Sequence, residues 1–140
     1  MITYYQKGDA AMVLPQPMQV SEANEFADFF DTIAAYSLVD EKTGAVAAVF
    51  GFRQTEKSVA EGFALLSAIS IGLLKQLVQF LKKIIPQKMA ELRVDCLRVT
   101  VKKNFDAGYK FVSLLGFCYA AELPNFYAGV DYQLFERRKI

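Results

Sequence analysis

A chain of 140 residues that is 54% hydrophobic has the length of one domain, residues 1–140, and the apolar content for a core of its own. That composition excludes a disordered chain, and a formal charge of +1 gives no electrostatic case for a nucleic-acid or membrane partner. Histidine is absent, which removes Ser-His-Asp triads, Cys-His pairs and His-ligated zinc together.

Residues 2–6 read as a first strand, ended at Gly8-Asp9. Pro15 and Pro17 break the chain, so the first helix is expected only at 22–33, behind Ser21 as N-cap. Glu22 and Glu25 suit its first turn, and Phe26, Phe29, Phe30 and Ile33 give it one apolar face. Strand-like runs at 36–39 and 45–53 flank the polar loop 40–44, whose closing Gly44 signals a hairpin. A further strand is expected at 59–66.

Helical period begins at Ile71. Leu74, Leu77, Val78, Leu81, Ile84 and Ile85 form one broad face, with Lys75, Gln76, Gln79, Lys82 and Lys83 mostly opposite. This helix is expected to stop near Pro86 or shortly beyond it. The run 92–101 is rich in β-branched residues and reads as a strand. Asn104 and Asp106 are candidate caps for a helix through Leu115, closed by Gly116. Strands at 117–121 and 131–136 complete the chain, with a loop at 122–129 carrying Pro124, Asn125 and Gly129. Early hairpins and a late strand-helix-strand unit predict an α/β (α+β) domain: a mixed, mostly antiparallel twisted sheet with helices on both faces.

Cys96 and Cys118 show no metal-ligand spacing and read as small buried hydrophobes in a reducing cytoplasm, so no metal is expected. Residues 1–9 do not read as a signal peptide, and no stretch approaches the roughly 20 apolar residues of a membrane span. The basic residues from Lys75 to Lys103 suit either a solvated helix face or an anion-binding edge.

The order of elements from Tyr36 to Arg137 resembles that of the GCN5-related N-acetyltransferases (GNAT). The best local match is the stretch Asn104 to Phe117, in which an Asn leaves a strand and a helix runs into Gly116-Phe117. The resemblance implies acyl transfer from acetyl-CoA, as cosubstrate, to an amine acceptor, and parallel neighbouring strands that hold Leu65 and Leu97 and diverge at one end. It places the CoA pyrophosphate at Ser67-Ala-Ile-Ser70-Ile71-Gly72, where a helix N-terminus offers unpaired N–H groups. Of the small residues usual in that loop only Gly72 is glycine, and Ser67 or Ser70 as a simple helix cap reads equally well. The acyl group would lie against Leu65 and Leu66.

By the same resemblance Glu61 is the candidate base for the attacking amine, its alternative being a solvated strand carboxylate. The usual acid is a tyrosine at the position held by Val112; Tyr109, one turn earlier on the same face, is the candidate substitute, or else a core-edge aromatic. Asn104 joins the cofactor-binding set. The ending Gly129-Val-Asp-Tyr132-Gln-Leu-Phe135-Glu resembles acetyltransferase-like proteins of tailed bacteriophages. It implies a cytoplasmic or, if phage-encoded, virion-associated protein. A rival expectation is a binding or structural module that keeps the fold without chemistry. Either a monomer or a homodimer suits the aromatic C-terminal region.

Overall fold

The computed structural model describes residues 1–14, 29–67 and 70–139. The helix expected at 22–33 lies largely outside them; Phe29 and Phe30 are helical. Seven strands form one mixed sheet, in the order β1-β2-β3-β4-β5-β7-β6. They are β1 (Ile2–Tyr4), β2 (Ala34–Val39), β3 (Val46–Glu56), β4 (Val59–Leu66), β5 (Cys96–Lys102), β6 (Cys118–Tyr127) and β7 (Val130–Arg138). The helices that lie wholly within the described residues are α1 (Asp9–Met12), α2 (Ile71–Leu92) and α3 (Asp106–Leu114). Among the described residues no helix is long and apolar enough to cross a membrane.

Contacts divide the chain into two compact units. The first comprises Met1–Arg53 and Gly62–Leu77. Here β1 pairs antiparallel with β2, and β2 with β3, as the hairpin signal around Gly44 predicts. Ala10, Val13, Phe30, Ala35, Val46, Val49 and Leu65 make its core, with Tyr5, Ile33 and Phe63 packed against them. Each large side chain so buried contributes roughly 1.5–3 kcal/mol. The short helix α1, which no periodicity announces, is held by side chains. Tyr5 donates to Asp31 Oδ1 at 2.6 Å, the Gly8 N–H reaches the same oxygen at 3.0 Å, and the buried Ser37 donates to Asp9 Oδ2 at 2.7 Å.

The second unit comprises Gln54–Glu61 and Val78–Ile140. Its β4 and β5 are parallel, with Val59, Ala60 and Glu61 opposite Cys96, Leu97 and Arg98. This agrees with the parallel pairing expected for the strands of Leu65 and Leu97. β7 lies antiparallel between β5 and β6. Gly108 lets α3 approach β5 closely, since a Cβ there would stand 2.8 Å from Val101 Cγ1. Gly116 turns the chain out of α3 at φ +86°, as its reading as a C-terminal signal requires.

Three boundaries differ from expectation. α2 continues past Pro86 to Leu92, because Ile85 and Met89 remain on its buried face; Leu92 thus ends a helix, and the strand starts at Cys96. α3 is capped by neither Asn104 nor Asp106: its N-cap is Phe105, which makes no side-chain cap bond. The loop expected at 122–129 is mostly strand. Pro124 sits on the edge strand β6, where its missing N–H interrupts no pairing, in a stretch where the register shifts.

Candidate functional site

At the start of α2, Ser70, Ile71 and Gly72 are all exposed. The Ser70 hydroxyl accepts the Leu73 N–H at 3.2 Å and its carbonyl accepts the Leu74 N–H at 2.9 Å, so Ser70 caps the helix. Ser67 does not. Its hydroxyl and its amide both donate to the Ala47 carbonyl, at 2.8 and 2.9 Å, extending the pairing of β4 beyond Leu66. No acidic residue stands in the first turn of this 22-residue helix, so its positive end is uncompensated there. A Cβ built on Gly72 would meet only Ser70 Oγ, at 3.9 Å. Among the described residues nothing demands a glycine at that point, and none fills the space beside the backbone. A phosphate group fits these features of the described residues: space at a helix N-terminus, a serine hydroxyl and no acid in the helix's first turn.

Leu65 and Leu66 are buried; Leu65 belongs to the core of the first unit. Glu61 is half-buried at the last position of β4 that pairs with β5, opposite Arg98.

Tyr109 is half-buried on α3, its ring 5.8 Å from that of Phe135. Its Oη accepts the Asn104 N–H at 2.8 Å. Asn104 itself adopts a left-handed φ of +69°, a conformation asparagine tolerates better than most residues. The ring of Tyr109 packs at the edge of the core, as its reading as a core-edge aromatic expects, while the hydroxyl lies at the strand-to-helix turn. Val112, one turn on, is buried.

A polar cluster on the neighbouring strands escapes sequence reasoning. Arg98 Nε donates to Glu136 Oε2 at 2.8 Å, and the Cys96 thiol donates to the same oxygen at 3.3 Å. The Arg98 bond, followed by the thiol, lowers the Glu136 pKa; burial first, then the carboxylate, raises that of Cys96. The one available signal was an arginine alternating with Cys96 and Thr100 inside an apolar strand.

The architecture matches acetyltransferases of known structure. An acetyltransferase of the GNAT family from Bacillus anthracis superposes with a TM-score of 0.71 over 98% of this chain and 93% of that one, at 8% identity. The GNAT fold is present. The ribosomal-protein-alanine N-acetyltransferase of Brucella melitensis matches the same GNAT architecture with a TM-score of 0.68, covering 99% of each chain at 14% identity. The protein yncA of Salmonella typhimurium, solved with its cofactor acetyl-CoA, gives a TM-score of 0.63 over 99% of this chain and 92% of that one, at 15% identity. At such identities the likeness is one of fold. No protein-family model matches the sequence, and no curated protein is similar to it.

Proposed function

We propose that this chain is an acyl-CoA-dependent N-acyltransferase that moves an acetyl group from acetyl-CoA to an amine. The observation that carries this reading is the open, acid-free N-terminus of α2 at Ser70 to Gly72, on a chain with the GNAT fold. Exposed first-turn amides and the positive end of a long helix suit the pyrophosphate of a CoA ester. Ser70 to Gly72 would hold it, with Leu65 and Leu66 as the proposed neighbours of the acyl group.

Bound there, acetyl-CoA supplies an activated thioester. The residues then have two proton tasks. Glu61 accepts a proton from the amine as its nitrogen forms the C–N bond. Tyr109 donates its hydroxyl proton to the sulfur as the C–S bond breaks. The Asn104 amide already points at Tyr109 Oη, so the phenolate left behind keeps a hydrogen bond. Val112, buried where a tyrosine was expected, has no part in the chemistry. Ser67 contributes by anchoring the end of β4, since its hydroxyl and amide both donate to the Ala47 carbonyl.

Thermal denaturation with and without acetyl-CoA tests the cofactor site. At a hundredfold excess over Kd the ligand should stabilise by about 2.7 kcal/mol. Gly72→Glu, which sets bulk and negative charge in the open space, should abolish that gain while leaving the unliganded melting temperature nearly unchanged. A wild-type melting temperature indifferent to millimolar acetyl-CoA would sink the reading.

A further inference from the structure

The register of the second unit sets Glu61, Arg98, Glu136 and Cys118 in one row. Glu61 stands opposite Arg98 in the parallel β4–β5 ladder, Arg98 opposite Glu136 between β5 and β7, and Glu136 opposite Cys118 between β7 and β6. Residues paired in this way project to the same face, on strands about 4.8 Å apart. Cys96 lies two residues before Arg98 on β5 and therefore shares that face.

Glu136 is the anchor of the row. Its side chain is only 15% exposed, and Arg98 Nε, the Cys96 thiol and Arg138 Nη2 converge on it at 2.8, 3.3 and 3.4 Å. One nitrogen of Arg98 is thereby fixed toward β7. A guanidinium has five N–H donors in a rigid plane, so fixing Nε also restricts where the remaining donors can point. The neighbour on its other side is Glu61.

We propose that Arg98, locked by Glu136, is the positioning residue for the Glu61 carboxylate. This rests on the reading of Glu61 as the base. A glutamate on a strand samples several rotamers, and a misplacement of about 1 Å in a catalytic group can cost about 10²-fold in rate. The register sets that guanidinium next to Glu61, so its charge, held from behind by a part-buried carboxylate, favours the rotamers that bring the Glu61 carboxylate toward it. If the salt bridge instead only held β5 to β7, its loss would lower stability and leave the chemical step alone.

The test is acetyl-transfer kinetics with acetyl-CoA and an amine panel, run on single and paired variants. Arg98→Gln should lower kcat by about 10-fold to 10²-fold and leave KM for acetyl-CoA unchanged. Arg98→Lys should recover part of the loss, because it restores the charge without the planar fork. Glu136→Gln, which preserves shape, should lower kcat in the same direction and carries the test if Arg98→Gln fails to fold. The deciding comparison is with Glu61→Gln: adding Arg98→Gln to it should cause no further loss. Equal losses in both backgrounds, or a folded Arg98→Gln with unchanged kcat, overturn the proposal while Glu61 keeps its role. Full activity in Glu61→Gln overturns the base assignment and this proposal with it.

Discussion

Tyr109 and Asn104 are five residues apart and joined by a 2.8 Å bond from an amide to a phenol oxygen. Tyr109→Phe removes one hydroxyl and keeps the ring on Phe135, so packing should survive. Steady-state kinetics should show kcat lowered about 10²-fold, while the acetyl-CoA thermal shift stays at its wild-type size. A variant with full turnover would assign the thiolate proton to another donor. The Tyr5–Asp31 pair makes a prediction about pH. Burial first, then its bond to Asp31, pushes the Tyr5 pKa up to about 12. A raised folded pKa means the protonated phenol is favoured by the fold. Its stabilisation is whole below the ordinary tyrosine pKa of about 10 and is lost as pH climbs through about 12. Melting temperatures of wild type and Tyr5→Phe should accordingly converge between about pH 10 and 12, the variant losing roughly 1 kcal/mol at neutral pH. A gap that stays constant across that range would contradict the assignment. Neither pair was legible as a pair. Tyr109 stands out as a single residue in the sequence, but its partner is a backbone amide, and Tyr5 and Asp31 lie 26 positions apart with no pattern to join them.

The hairpin from β6 to β7 turns on Ala128 and Gly129, both left-handed, at φ +51° and +74°. A two-residue loop with two positive φ values is the form that matches strand twist, and it prefers asparagine followed by glycine. Alanine at the first position is strained, so Ala128→Asn should stabilise by about 1 kcal/mol in chemical denaturation, and an unchanged midpoint would argue against the turn. Strands β2, β3 and β4 were legible because short apolar runs are set off by polar turns such as 40–44. β6 was cut short in the sequence reading by Pro124 and Asn125, residues that belong to loops unless a strand has a free edge. α2 outran Pro86 for a similar reason: tertiary burial of Ile85 and Met89 outweighs an intrinsic helix penalty of about 3 kcal/mol. α1 has four residues and no apolar period, and its hydrogen bonds come from residues up to 28 positions away.

At the scale of the molecule, the order of elements from β2 onward was readable from period and punctuation, and the fold they build matches that of solved acetyltransferases. The sequence could not show that β7 inserts between β5 and β6, which is what brings Glu136 to Arg98. Folds outlast the activities they once carried, so activity has to be measured directly. That measurement is release of free thiol from acetyl-CoA by the wild-type chain, followed against a panel of amines with buffer-only and enzyme-free controls. On the proposed mechanism thiol release depends on both enzyme and amine and falls about 10²-fold in Tyr109→Phe. Acetyl-CoA binding without amine-dependent thiol release from any member of the panel would contradict it.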